Sequence, residues 1–181
     1  MTVSAPASAS PASTASTAST ASTASPASTA STASTASTAT PPDLDSSALP
    51  ADLHLGEPVT DHTHAEFVLL LQAAQRASDE GFLAALDEWI DHTRYHFDME
   101  EAWMEAMNFG PRQCHAGEHR QMLEIVDKVR AKVEQEGDFE TGRRLVVELP
   151  GWFALHVRKQ DAAMVAYMRQ NGFTLVEGPA G

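Results

Sequence analysis

Four long stretches of helical periodicity, parted only by short runs rich in glycine, proline, asparagine and aspartate, constrain this chain more than any other feature. Phe67, Leu70, Leu71 and Ala74 recur at three-and-four spacing after a helix start expected at Thr60. Phe82, Leu86, Trp89, Ile90, Thr93, Phe97, Trp103 and Met107 continue the pattern from about Ser78 or Asp79 to the stop at Gly110-Pro111. A third stretch, from about Arg112 to Glu136, carries Met122, Ile125, Val126 and Val129 and stops near Gly137-Asp138. The fourth covers roughly Phe139 to Asn171, is interrupted at Pro150-Gly151 and closes at Asn171-Gly172. Long helices with short connections must run antiparallel, so an all-α, up-down-up-down four-helix bundle is expected over residues 59–172. Pro150 removes one intrahelical hydrogen bond and crowds the preceding turn, which predicts a kink or a break.

The rest of the chain differs in kind. Residues 1–42 are almost wholly Ser, Thr, Ala and Pro and carry no charge. Such a segment cannot bury enough apolar surface to offset the entropy of ordering it, so a disordered tail is expected. A lead-in follows at 43–58, and residues 173–181 read as a C-terminal tail. The chain has 25 acidic against 12 basic residues, a formal charge of −13, with all of these charges beyond residue 42. That balance repels phosphate backbones and anionic headgroups, and no local basic patch offsets it, so neither nucleic acid nor a membrane surface is expected as partner. A single thiol, Cys114, excludes an intramolecular disulfide, and no signal-peptide pattern or long apolar run stands out. A cytoplasmic monomer without a fused output domain is therefore expected, with a separate protein partner left open.

The remaining feature is eight histidines, all at or beyond His54. His96 and Glu100 stand four apart on the second helix, and His115 and His119 on the third, so each pair projects from one helix face. His156 and Asp161 stand five apart on the fourth, and His64 lies near the start of the first. In an up-down bundle, ligands meet at one level only if they sit early on odd helices and late on even ones. All seven satisfy that demand to within about 10 Å at 1.5 Å rise per residue. The five-residue step turns about 140° round an ideal helix, which predicts a long carboxylate reach or a local π-bulge. Five imidazoles and two carboxylates, with no thiolate among them, exceed one tetrahedral zinc and suit two borderline-hard ions. A single helical histidine is more often merely hydrogen-bonded, and that reading is kept for His54 and His62. His92, one turn before His96 on the same face, is ligand, support or core; Glu101 is expected at the surface or supporting a ligand.

The pattern of His64, then His96-Phe97-x-x-Glu100-Glu101, then His115-x-x-x-His119, then Trp152-x-x-x-His156-x-x-x-x-Asp161 resembles the hemerythrins, specifically the bacterial hemerythrin-like proteins, over roughly residues 55–170. The resemblance implies a non-haem di-iron centre: His115, His119 and His156 on one iron, His64 and His96 on the other, and Glu100 and Asp161 bridging beside an oxo or hydroxo group. Asp61 matches the family's Asp-x-x-His at the first helix. The iron with two histidines keeps a free position for dioxygen, lined by Phe67, Trp152, Phe153 and Val157. Reversible dioxygen binding for storage, delivery or sensing is the function implied. An oxidoreductase acting on peroxide or nitric oxide, or an iron store, is the alternative. The absence of Glu-x-x-His and the excess of neutral imidazole favour binding over catalysis.

Overall fold

The computed structural model describes residues 45–174, and the tail expected at 1–42 lies outside them. Four antiparallel helical rods form a closed ring in which each packs on its sequence neighbours and the fourth returns to the first. They are α1 (Pro58–Arg76), α2 (Asp79–Ala106), α3 (Arg112–Glu136) and a composite fourth rod. That rod comprises α4 (Phe139–His156), a π-helical turn at Val157–Asp161 and α5 (Ala162–Gln170). The all-α up-down-up-down bundle is thus the architecture found. Among the described residues no helix is long and apolar enough to cross a membrane.

Local chemistry sets the helix ends. α1 starts at Pro58, earlier than the Thr60 start expected from sequence, because Glu57 rather than Thr60 caps it: the Glu57 carboxylate accepts the Thr60 backbone N–H at 2.8 Å. Proline at the first helical position costs nothing there, since its missing N–H has no intrahelical acceptor. Asp61 accepts the backbone N–H groups of Leu55 at 2.7 Å and Gly56 at 2.9 Å, and so clamps the lead-in onto α1. At the α3–α4 junction Gly137 takes a left-handed φ of 67° and ends α3, while Asp138 accepts the Thr141 N–H at 3.0 Å and starts α4.

Pro150 does not break its helix; α4 runs unbroken through it. The carbonyl that Pro150 leaves without its intrahelical donor is that of Val146, and the Gln75 side-chain amide of α1 donates to it at 2.6 Å. A cross-helix hydrogen bond thus replaces the missing one, which is how an interior proline is tolerated.

The core has two apolar parts. The larger holds Phe67, Leu71, Phe82, Leu86, Trp89, Val126, Val146 and Phe153, and the smaller holds Met104, Phe109, Met164, Val165 and Met168. Leu49 and Leu53 of the lead-in are buried against the larger, and Phe173 packs on the smaller. Ile125, expected on the core face of α3, is 55% exposed, since Met122 and Val126 take the inward positions. On α2 Glu100 lies between Phe97 and Met104, and on the fourth rod Asp161 lies between Val157 and Met164. A polar layer is therefore held between the two apolar parts.

Close packing leaves no room for a side chain at Gly142. A Cβ added to Gly142 would lie 2.6 Å from Phe82 Cε1 and 2.8 Å from Val133 Cγ2. Alanine is favoured over glycine inside a helix by about 1 kcal/mol. Overpacking a buried contact costs about 1–3 kcal/mol. Gly142→Ala is therefore expected to lower the denaturant midpoint with the m-value unchanged; a raised midpoint would mean that Phe82 moves aside freely.

Candidate metal centre

Two pairs and one π-turn build the polar layer. His96 and Glu100 descend one face of α2, and His115 and His119 one face of α3, as four-residue spacing requires. His156 and Asp161 bracket the π-helical Val157–Asp161. The wider turn brings a five-residue step back onto one face, so the π-bulge anticipated from the spacing is the device the fold uses. His64 completes the set from α1. All seven side chains are buried, none more than 2% exposed.

Their polar atoms fall into two groups. In one, His115 Nε2 and His119 Nε2 each lie 3.1 Å from His156 Nε2. Glu100 Oε2 is 3.3 Å from both His115 and His119, and Asp161 Oδ1 is 3.0 Å from His115 and 3.2 Å from His156. In the other, His96 Nε2 lies 3.2 Å from Glu100 Oε1, and His64 Nε2 lies 3.3 Å from Asp161 Oδ2. Each carboxylate thus gives one oxygen to each group, one of three imidazoles and one of two.

These distances belong to converging lone pairs more than to a hydrogen-bond network. Both oxygens of Glu100 and of Asp161, and the site-facing Nε2 atoms of His64 and His96, have no geometrically sound hydrogen-bond partner, although all are buried. So many orphaned acceptors in one layer would be prohibitively costly unless a cation satisfied them. Carboxylate oxygens and imidazole nitrogens aimed at two common points fit two divalent ions of the first transition row.

Electrostatics supports the same reading. Burial and the Asp161 charge push the Glu100 carboxyl up, yet His96, His115 and His119 outweigh them and hold it well below its ordinary value. Burial likewise raises Asp161, and His115, His156 and His64 overcome it, leaving that carboxyl well below its ordinary value. Both therefore stand ionised, as ligands must. Burial holds the His119 imidazole below its ordinary range, only partly offset by Glu100.

Around the layer, His156 Nδ1 meets Glu118 Oε2 at 3.1 Å, and the Gln160 amide donates to Glu118 Oε1 at 2.5 Å. Glu118 therefore orients the ring and raises its basicity at Nε2. Nothing in the linear pattern singled out Glu118, because only the packing of α3 on α4 brings it to His156. Its place three residues after His115 was the sole available hint. Glu101 lies 3.5 Å from His119 Nδ1, a supporting position of the kind expected for it. His92 accepts no place in either group: its Nε2 bonds the Thr63 carbonyl at 3.1 Å, and burial beside His96 pushes it down to about 4. His54 and His62 bond the Leu49 and Asp45 carbonyls, outside the layer.

The apolar surroundings split between the groups. Phe153 meets the His64 ring edge-on at 5.3 Å and stacks on Phe67 at 4.1 Å, next to the two-imidazole group. Val157 is fully buried in the same cluster. Trp152 departs from its expected place beside the open position: it stacks on His156 at 4.8 Å, and Phe97 stacks on His119 at 3.8 Å, both on the three-imidazole side.

Removing the Glu118 carboxylate tests the supporting shell. Glu118→Ala is expected to weaken metal affinity by about 10–100-fold while leaving helical content intact. Competition with a chelator reads the change, and unchanged affinity would reduce Glu118 to a surface contact.

The fold and the layer together define a class: a four-helix protein built around a buried imidazole–carboxylate cation centre. The profile of the hemerythrin HHE cation binding domain matches residues 57–168, and the chain belongs to the hemerythrin family. It is 48% identical over 120 residues to a bacteriohemerythrin of Ralstonia nicotianae, covering 66% of this chain and 87% of that one. A bacteriohemerythrin of Pseudomonas paraeruginosa is 29% identical over 130 residues, 70% of this chain and 84% of that one. One from Stenotrophomonas maltophilia is 28% identical over 116 residues, 62% and 74% respectively. No solved structure matches the chain.

Proposed function

We propose that this chain holds two iron ions and binds dioxygen reversibly, for storage, delivery or sensing, as a cytoplasmic monomer. His115, His119 and His156 hold one ion, His64 and His96 the other, and Glu100 and Asp161 bridge them. The observation that carries this reading is the unequal split of three imidazoles against two, with one oxygen of each carboxylate on either side. Equal bridging leaves the His64–His96 side one protein donor short, and that side faces Phe153 and Phe67. The iron pair, when bound, supplies the electrons that dioxygen takes up on binding and returns on release.

The side chains do the rest. Phe67, Phe153 and Val157 keep water and protons from the two-imidazole side, which disfavours loss of a charged, reduced oxygen species. Five neutral imidazoles against two carboxylates keep the site's own charge low, which favours the ferrous ions over high-valent chemistry. The exposed, unpaired Cys114 suits a reducing compartment. The similarity to bacteriohemerythrins supports the assignment of iron and of dioxygen.

The test is iron per chain, followed by the visible spectrum of the reduced protein before oxygen, under oxygen and after its removal. Two irons per chain and a charge-transfer band that comes and goes with oxygen are expected. Irreversible oxidation coupled to turnover of peroxide would sink the reading in favour of an oxidoreductase.

A further inference from the structure

We infer that His62 and Glu66 of α1 and His92 of α2 form a second cation site, open to solvent, for a divalent ion of the zinc class. The inference stands apart from the iron and dioxygen reading, because none of the three side chains enters either group of the buried layer. His62 and Glu66 stand four apart on α1, the same spacing that sets His96 against Glu100 on α2. Here the pair faces outward. His62 Nε2 lies 3.6 Å from Glu66 Oε1, and His92 reaches across from α2 to place Nδ1 4.0 Å from Glu66 Oε2. The Glu66 carboxylate therefore stands between two imidazoles, one at each oxygen.

The backbone fixes which nitrogen of each ring carries the proton. A neutral imidazole has one N–H, and a carbonyl oxygen can only accept. His62 Nδ1 lies 2.9 Å from the Asp45 carbonyl, and His92 Nε2 lies 3.1 Å from the Thr63 carbonyl. Each ring thus donates its N–H to the main chain and turns its lone pair toward Glu66. A lone pair facing a carboxylate oxygen sets two acceptors in opposition, and 3.6 and 4.0 Å are too long for hydrogen bonds. A cation relieves that opposition. A proton does so poorly at His92, since burial beside His96 holds that ring neutral. Metal-binding histidines show the same arrangement, with one nitrogen donating to a carbonyl and the other turned to the ion.

Two imidazoles and one carboxylate, with water in the remaining position, match an open zinc site. His92 is the rigid member, its side chain only 11% exposed, and Glu66 the adaptable one at 47%. Metal–ligand bonds of about 2.0–2.2 Å require the donors to draw in from their present spacing. Rotation of the exposed Glu66 side chain, with a small turn of the His62 ring, supplies that movement. The chain's charge of −13 favours cations over anions at its surface. A bound ion ties the lead-in, which His62 holds at Asp45, to both α1 and α2.

The test is zinc added to the iron-loaded full chain at about pH 8, where a free imidazole is unprotonated. One zinc per chain is expected to bind with iron content unchanged. Crystals of that form should show an anomalous peak at the zinc edge within bonding distance of His62 Nε2, His92 Nδ1 and a Glu66 oxygen. Losing even a supporting partner of a metal ligand costs about 10–100-fold in affinity, so Glu66→Gln and His62→Ala are each expected to weaken zinc binding at least about tenfold. Both variants should keep parental helical and iron content. No zinc bound, a peak elsewhere, zinc that displaces iron without occupying this site, or unaltered zinc affinity in both variants would overturn the site. A chain that holds no iron is expected to take further zinc in the buried layer, and the position of the peak separates the two. Failure of the iron reading leaves the peak at Glu66 in place, whereas failure of this site removes that peak alone.

Discussion

Glu100→Ala is expected to cost the protein both metal ions at once, a larger effect than losing any single histidine. Oε1 of Glu100 stands 3.2 Å from His96 Nε2, and Oε2 stands 3.3 Å from His115 and from His119, so one side chain serves both groups. Removal halves the negative charge of the layer while leaving five imidazoles, a donor set too weakly charged to hold two dications in a desolvated interior. Uncoupling a buried charged partner costs about 3–5 kcal/mol, which is about a hundred- to a thousandfold or more in affinity. Metal analysis after gel filtration should find less than about a tenth of the parental iron, with helical content retained, since the apolar layers on either side remain. By contrast, His156→Ala removes a donor from the three-imidazole group alone, so the two-imidazole group is expected to suffer less. Full iron content in Glu100→Ala would show that the carboxylate does not bridge.

Removing the proposed iron pair from the parent chain is expected to lower its melting temperature by about 10–20 °C and to make stability depend on pH in a way the loaded protein does not share. Ligands that bind only the folded state stabilise it by about 4 kcal/mol at a thousandfold excess over their dissociation constant. In the iron-free chain His115 takes up a proton in place of the metal: burial opposes this, but Asp161 and Glu100 push its imidazole up to about 9. A group whose folded value lies above its unfolded one stabilises fully below the unfolded value, near pH 6.5. That contribution is lost as the pH climbs through about 9. Glu100 and Asp161 act in the other sense, stabilising above their ordinary range near pH 4 and failing in strong acid. The iron-free chain should therefore be most stable near pH 6.5: it weakens from there to pH 9 as His115 loses its proton, and weakens again in acid because buried His92 and His119 resist protonation. The loaded chain, whose His115 nitrogen is occupied, should hold constant across that window. Thermal unfolding at both ends of the window checks this, and parallel curves for the two forms would refute it.

Much of the centre was legible in the sequence because pairs of its side chains share a helix. His96 with Glu100 and His115 with His119 need only the helical repeat to point the same way, and an up-down order then sets their common level. The His156–Asp161 step was legible as an anomaly: five residues do not fit an α-helix, and the π-turn at Val157–Asp161 is the local answer. Helix ends were less legible. Glu57 caps α1 in place of Thr60: its carboxylate accepts the Thr60 backbone N–H and so starts the helix earlier than a Thr60 cap would.

What depends on the packing of one rod against another escaped the linear pattern. Gln75 satisfying the Val146 carbonyl, and so keeping α4 whole across Pro150, joins residues 71 positions apart. Glu118 reaches His156 across α3 and α4, and Trp152 turns to the three-imidazole side, both by the rotation of α4 about its own axis. Periodicity says which residues share a face; it does not say how that face is turned toward its neighbour.

The chain's sequence alone determined the four antiparallel rods, the level of the polar layer and the identity of the side chains in it. Each follows from a spacing counted along one helix or from the alternation of helix direction. The tertiary structure decided how the two carboxylates divide their oxygens and which rings back which imidazoles. Those outcomes depend on interhelical rotation and on side-chain volumes meeting across a gap, quantities that no single helix carries.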